Sequence, residues 1–158
     1  MRRSDREITD KEDMVDVIRH CDVCRLGLVG EDGLAYIVPL NFAPEFEDGR
    51  VRLYFHSALE GLKMDLIKQN PRVSFEMDCD HRLVYRPELK NCTFCFRSVM
   101  GSGLIRFPED GEKKAVMEKL MRAYHDGEAL PFNEKSLAVT AVYCLEVTAM
   151  TGKKRLLP

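Results

Sequence analysis

Apolar residues near the start of the chain recur at the period of a helix. Their spacing places them on one helical face, at Met14, Val17, Ile18 and Cys21. Thr9 and Glu12 precede this run with the spacing of a capping box, in which two side chains satisfy free backbone N–H groups at a helix start. The pattern predicts a first helix with Thr9 as its N-cap.

Farther along, apolar and polar residues alternate, which is the pattern of half-buried strands. Strands are predicted over residues 24–29, 34–42, 51–55, 73–77, 93–107 and 139–147. Pro39 cannot donate a hydrogen bond to a ladder, so its strand is expected at a sheet edge or at a bulge. Gly101 and Gly103 predict a break or bulge within the longest of these strands.

Two more helices are predicted, over about 59–69 and 110–124. Residues 79–90 are polar and irregular and are interpreted as a loop, and residues 153–155 as a solvated end. The strands and helices do not alternate strictly, as they would in a doubly wound sheet. We therefore predict one mainly β (α+β) domain over residues 1–158, a small antiparallel barrel flanked by helices.

Composition restricts the function more than the fold. With 24 basic and 26 acidic residues the net charge is -2, so nucleic acid is not an expected partner. The longest apolar runs are too short to cross a bilayer, so no membrane association is expected. The charged start lacks a following apolar region, and six cysteines without a secretory signal indicate free thiols in a reducing cytoplasm.

The first candidate site lies where the strand over 51–55 runs into the following helix. His56 and Ser57 end the strand, and Gly61 and Lys63 fall in the first turns of the helix. Free N–H groups and a partial positive charge at a helix start, together with a hydroxyl and an ammonium group, suit a phosphate. The local pattern leaves open the alternative that Ser57 is only a cap and Lys63 a solvated lysine.

Two other stretches could contribute to the same site. The apolar run 36–42 contains Pro39 and ends in one amide side chain, Asn41, and could lie along a flat aromatic ligand. Without other information, the local pattern favours an ordinary buried strand with a bulge. Arg97 and Ser98 lie between apolar strand residues and could complete an anion site from across the barrel, or Arg97 could be a surface residue.

These stretches together resemble a known family. The matching motifs, in chain order, are Val38-Pro39-Leu40-Asn41-Phe42, Leu53-Tyr54-Phe55-His56-Ser57-Ala58 with Gly61 and Lys63, and Arg97-Ser98-Val99 with Gly101 and Gly103. They are similar to the nitroimidazole-resistance (Nim-type) branch of the pyridoxamine 5'-phosphate oxidase-like, FMN-binding split-barrel proteins. The resemblance is collinear and runs nearly from end to end.

The resemblance implies a split β-barrel homodimer with FMN in clefts at the subunit interface. The phosphate would be held by Ser57, Lys63 and Arg97, with His56, Ala58 and Ser98 beside it. The flavin ring would be lined through backbone contacts by Val38, Pro39, Leu40 and Asn41. In the Nim-type branch a histidine of this motif is linked to reduction, which makes His56 the implied catalytic residue.

The implied activity is that of an FMN-dependent oxidoreductase acting on a small acceptor such as a nitroaromatic compound. NAD(P)H is a possible donor, and the sequence has no Rossmann glycine fingerprint for a nicotinamide domain of its own. The alternatives are a non-catalytic flavin- or haem-binding protein of the same fold and pyridoxamine phosphate oxidation itself. The pairs Cys21/Cys24 and Cys92/Cys95 formally match a four-cysteine zinc site, but no metal is expected because the first pair fits a helix face and a strand start.

Overall fold

The structure, a computed structural model, describes residues 3–125 and 131–157. Within these residues the helices are α1 (Lys11–His20), α2 (Leu62–Gln69), α3 (Lys113–Tyr124) and α4 (Glu134–Ala138). The strands are β1 (Glu7–Ile8), β2 (Cys24–Val29), β3 (Ala35–Leu40), β4 (Ala43–Glu47), β5 (Arg50–Ala58), β6 (Arg72–Arg86), β7 (Asn91–Arg106) and β8 (Thr140–Arg155). None of these helices is long and apolar enough to cross a membrane.

All described strands belong to one antiparallel sheet in the order β3-β2-β6-β7-β8-β5-β4, and β1 pairs with β8 beside this path. Strand β3 ends the order, so Pro39 lies in an edge strand as its missing donor predicts. The register of β7 against β8 shifts between Ser102 and Gly103, which confirms the predicted bulge. A Cβ atom at Gly103 would collide with the backbone of β8, so the close approach there requires glycine.

The barrel interior is filled by the inward side chains of the alternating strands. The largest fully buried members include Leu26, Phe55, Met77, Tyr143 and Leu145, with Ile18 of α1 packed into the same core. A smaller cluster joins α3 to the outside of the barrel, through Val116, Leu120, Ala43 and Val142. Apart from Leu40, which packs against the larger cluster, the candidate residues of β3, β5 and α2 lie outside these two clusters, at the β3 edge and the start of α2.

The predicted loop over 79–90 is wrong, because most of it is strand. Residues 82–86 of β6 pair with residues 91–95 of β7, and the register shifts between Cys79 and Arg82 at a bulge where Asp80 has a positive φ of 59°. Both faces of this hairpin are largely exposed, so apolar and polar residues do not alternate there as they do around a buried face. We call the hairpin over residues 80–95 the arm.

Four further predictions need correction at the ends of elements. Asp10, not Thr9, caps α1, because its carboxylate accepts the Glu12 N–H at 2.8 Å. Residues 153–155 are not a free end but the last part of β8, paired with residues 96–98 of β7. Helix α2 begins at Leu62 instead of about residue 59, and the predicted strand over 34–42 ends at Leu40, ahead of the unpredicted strand β4.

Candidate functional site

Helix α2 begins without a capping side chain. Its N-cap is Gly61, whose φ of 124° favours glycine. The Gly61 carbonyl accepts the N–H groups of Met64 and Asp65 at 2.8 and 3.1 Å, but the N–H groups before them have no partner inside the helix. The first turn therefore presents free donors and the positive end of the helix dipole to the end of β5.

Ser57 and Lys63 lie beside this first turn. The Ser57 hydroxyl is 2.9 Å from the Ala58 carbonyl oxygen and 3.3 Å from Met64 Sδ, so β5 and α2 are joined at this point. The Lys63 ammonium lies 5.9 Å from the centre of the Tyr143 ring. Burial lowers the pKa of Lys63, and no carboxylate among the described residues offsets this effect. Lys63 is thus a half-buried cation without an anionic partner in the described chain.

Tyr143 lies beside Ser57 and Lys63, and it was not predicted from the sequence. It is fully buried and its ring stacks on Phe55 at 5.5 Å between centroids. Burial raises the pKa of its hydroxyl, an effect that the nearby Ser57 hydroxyl partly opposes. The Ser57 hydroxyl is close to it but is directed to the Ala58 carbonyl and Met64 Sδ, so the Tyr143 hydroxyl has no partner in hydrogen-bonding geometry in the described part of the chain. A buried hydroxyl without a partner is costly.

His56 lies next to the same group but on the other face of β5. Its neighbours Phe55 and Ser57 point inward, whereas the His56 imidazole is partly exposed. Partial burial lowers the pKa of His56, and the positive charge of Lys63 lowers it further. Both effects favour the neutral imidazole at neutral pH. The structure therefore brings His56, Ser57, Ala58 and Lys63 together, as the sequence predicts.

The edge strand that contains Val38 and Pro39 faces the same side of the molecule as α2. Strand β3 pairs only with β2 among the described residues, so its outer backbone groups are free. Val38 and Leu40 are opposite Leu26 and Cys24 and are half buried, while Pro39 and Asn41 are exposed. A cleft of about 490 Å³ separates β3 from α2 and is lined by Leu34, Tyr36, Leu62 and Leu66, among others.

Arg97 and Ser98 lie elsewhere in the subunit. Arg97 is opposite Lys154 near the end of β8, whereas Ser57 is opposite Ala141 near its start. The Arg97 guanidinium, 15% exposed, is paired with the carboxylates of Asp16 and Asp80. Burial acts to lower the pKa of Arg97, but these two hydrogen-bonded carboxylates outweigh it and raise the pKa. One subunit alone does not bring Arg97 and Ser98 to the Lys63 group.

A second, apolar surface crosses the outside of the sheet. It is a groove of about 630 Å³ that runs over five strands, lined mainly by Gly27, Ile37, Ser74, Met100, Ser102 and Ala149. Large side chains of the arm extend this apolar surface. Leu83 and Phe94 are paired directly, so their side chains lie on the same face of the arm, and both are more than half exposed. Exposed apolar surface of this extent is typical of an interface.

All six cysteines are free thiols. The Cys21 thiol lies beside that of Cys79. Burial is the larger cause and the neighbouring thiol the second, and together they raise the pKa of Cys21 to about 12. Cys24 and Cys95 are buried in their strands, and Cys92 is exposed on the arm. Within residues 3–125 and 131–157, no three potential ligands are arranged to hold a metal ion.

Comparison with known proteins shows the family. The family model described as pyridoxamine 5'-phosphate oxidase matches residues 10–154. A proposed 5-nitroimidazole antibiotic resistance protein from Bacteroides thetaiotaomicron is 30% identical, with a TM-score of 0.82, over 94% of this chain and 86% of that one. No curated protein sequence matches the chain.

More distant structures share the fold. The flavocytochrome Anf3 from Azotobacter vinelandii is 21% identical, with a TM-score of 0.81, over 100% of this chain and 73% of that one. An FAD- and haem-binding protein from Mycobacterium smegmatis is 19% identical, with a TM-score of 0.78, over 94% and 73%. The fold prediction of a split β-barrel with flanking helices is confirmed. Given the family match over most of its length, the chain belongs to the pyridoxamine 5'-phosphate oxidase family.

Proposed function

We propose that this protein binds FMN, with the phosphate at the first turn of α2, and acts as an FMN-dependent oxidoreductase. The observation that carries the proposal is the group formed by the uncapped start of α2, the Lys63 ammonium and the Tyr143 hydroxyl. Each of the three lacks a partner among the described residues. The N–H donors at the start of α2 are free, the Lys63 ammonium has no carboxylate beside it, and the buried Tyr143 hydroxyl has no hydrogen-bond partner. A phosphate supplies negative charge and several acceptor oxygens, so it satisfies the first two directly, and it would reach the fully buried Tyr143 hydroxyl after a shift of the first turn of α2.

The remaining residues fit a flavin attached to that phosphate. Ser57 would add a hydroxyl donor beside Lys63, and Ala58 would border the phosphate at the end of β5. The free edge of β3 and the exposed Asn41 after it offer backbone groups from Val38 to Asn41, with no N–H at Pro39, and a flavin ring has donors and acceptors along its rim. Bound FMN supplies hydride or electron transfer, while the protein binds and orients the reactants.

His56 is the proposed catalytic residue. Its partial exposure makes it accessible to an acceptor, and its lowered pKa keeps the imidazole neutral. A neutral imidazole donates a hydrogen bond from one nitrogen and accepts a hydrogen bond or a proton at the other, so His56 would orient and polarise the acceptor, and the proton taken up on reduction would come from solvent. The 30% identity to a proposed 5-nitroimidazole resistance protein supports a nitroaromatic acceptor, and the proposed donor is NAD(P)H.

The proposal includes a homodimer. The apolar groove and the exposed side chains of the arm form one face that a second copy would cover. Arg97 and Ser98 can take part in the FMN site only across such an interface, because in one subunit they lie at the far end of β8. Arg97 would then have to exchange a carboxylate for the phosphate.

The experiment is the visible spectrum of freshly purified protein, followed by titration with FMN and by sedimentation with and without it. We expect a flavin spectrum or quenched FMN fluorescence on titration, and a dimer. A haem band would move the function to haem binding, and binding of neither group would remove the oxidoreductase proposal. A monomer that holds FMN fully would exclude an interface site. Reduction of a nitroaromatic compound by NADH or NADPH, measured anaerobically on the FMN-loaded protein, tests catalysis.

A further inference from the structure

One tyrosine from α3 holds the corner that follows the edge strand β3. The Tyr124 hydroxyl accepts the backbone N–H of Phe42 at 2.8 Å and donates to the backbone carbonyl of Asp22 at 2.7 Å. Asp22 precedes β2, and Phe42 lies between β3 and β4. A single hydroxyl therefore uses both its donor and its acceptor to join two corners of the sheet to the end of α3.

Helix α3 gives this contact a rigid base. Val116 and Leu120 are buried against Ala43 and Val142, which fixes the helix on β4 and β8. Tyr124 is the last residue of α3, one turn beyond Leu120 on the same side of the helix. The hydroxyl is thus placed by a packed helix, although the Tyr124 side chain is itself partly exposed.

The corner held in this way contains Asn41. On one side, Leu40 is paired with Cys24 of β2. On the other, the Phe42 ring is buried in the core and its N–H is bonded to Tyr124. Asn41 itself is exposed between these two fixed residues, so its backbone groups have little freedom to turn away from the free edge of β3.

We infer that Tyr124 is a positioning residue for the cofactor site: it fixes the position of the Asn41 backbone and of the end of β3, which would line the flavin ring. This inference rests on the proposed FMN site and adds a residue outside it, in an element that contributes nothing else to that site. Tyr124 does not touch the cofactor. It acts through the Phe42 N–H, which without it would be left unpaired in a buried position.

The test replaces Tyr124 with phenylalanine, which keeps the ring and removes the hydroxyl. Tyr54→Phe is the matched control: Tyr54 packs against the same cluster that fixes α3, and its hydroxyl is bonded to Glu45 at 3.0 Å and not to the corner at Phe42. Both variants should lose thermal stability. Only Tyr124→Phe should raise the dissociation constant for FMN, by about tenfold, as expected when one hydrogen bond that orders a site is lost. It should also change the visible circular dichroism of the bound flavin.

The outcomes separate the two proposals. If wild-type protein binds FMN and Tyr124→Phe retains both the wild-type affinity and the wild-type dichroism, the positioning role is overturned and the FMN site stands. Equal losses of FMN affinity in Tyr124→Phe and Tyr54→Phe would also overturn it, since the effect would then follow stability alone. If the wild-type protein itself does not bind FMN, both proposals fail.

Discussion

Lys63 and Arg97 carry the same charge and were both predicted to bind phosphate, yet the structure gives them opposite surroundings. Lys63 lies at a helix start with no carboxylate offsetting its burial among the described residues. Arg97 is enclosed by the carboxylates of Asp16 and Asp80. One cation lacks an anion and the other has two. The difference predicts that Lys63, which its own fold leaves without a carboxylate partner among the described residues, contributes more to phosphate binding than Arg97 does.

The contrast has an energetic basis. A partly buried cation without a counter-ion is destabilised, so a phosphate that binds it also relieves a cost of the folded state. A guanidinium with two carboxylates has no such cost to relieve, and a phosphate would have to displace one of them. Lys63 therefore favours binding from within one subunit, whereas Arg97 favours cohesion between α1 and the base of the arm.

The largest expected effect is that of Lys63→Ala on FMN affinity. Loss of a charge-assisted contact in a partly buried site costs about 1.5–3 kcal/mol, so the dissociation constant should rise roughly 10- to 100-fold. Quenching of FMN fluorescence on titration measures it. Lys68→Ala is the matched control, because Lys68 is an exposed lysine in the last turn of the same helix. Equal affinity in the two variants would remove Lys63 from the site.

Tyr143→Phe sharpens the comparison by removing a neutral donor next to Lys63. Because the hydroxyl has no partner in the described chain, its removal should leave the stability of the flavin-free protein unchanged or raise it by up to about 1 kcal/mol. FMN affinity should fall roughly two- to tenfold if the hydroxyl serves the phosphate. Denaturant unfolding and FMN titration measure the two effects. A clear loss of stability without FMN would show that Tyr143 already has a partner.

Arg97→Ala should lower the stability of the protein more than its affinity for FMN, the reverse of Lys63→Ala. It removes the cation that holds Asp16 and Asp80 together, so the melting temperature should fall by a few degrees, on the order expected for a partly exposed ion-pair network. FMN affinity should fall less than in Lys63→Ala. A loss of FMN affinity as large as that of Lys63→Ala, in a dimer, would break the contrast and show that Arg97 joins the site across the interface.

The pH dependence of this variant has a definite sign. The hydrogen bond from Arg97 holds the pKa of Asp16 below its usual value, so the ionised carboxylate stabilises the fold above the unfolded-state pKa of about 3.9. That contribution is lost as the pH falls through the folded-state pKa. The stability gap between wild type and Arg97→Ala should therefore be full at pH 7 and narrow below about pH 4. Thermal melts over this range measure the gap.

The parts of the fold predicted from sequence are those that a local pattern determines. The edge position of Pro39 follows from its missing N–H, and the bulge near Gly103 from the close approach that only glycine permits. The grouping of His56, Ser57 and Lys63 likewise depends on a short strand-to-helix connection. The strands of the arm were not predicted because they are held by pairing across the hairpin. Neither face of the arm is buried enough to require apolar and polar residues to alternate.

The surroundings of the candidate residues could not be predicted in the same way. The carboxylates that pair with Arg97 lie 17 and 81 residues away in the sequence. The residues next to Arg97 therefore give no indication that its charge is already neutralised. Tyr143 occupies an inward position in a β-branched strand, where a tyrosine is indistinguishable from a core aromatic residue. Its unpartnered hydroxyl becomes visible only when β8 is placed beside β5 and α2.

The smallest expected effect concerns the pKa of His56. Burial and the positive charge of Lys63 both lower this pKa in the folded protein, in that order of size. Lys63→Ala removes the charge and leaves most of the burial, so the pKa of His56 should rise towards its ordinary value without reaching it. NMR titration of the imidazole signals in wild type, Lys63→Ala and Lys68→Ala measures the change. A rise only in Lys63→Ala would place an unpaired ammonium next to His56 in solution. An unchanged pKa would mean that the Lys63 charge is screened or directed elsewhere, and the contrast with Arg97 would lose its basis.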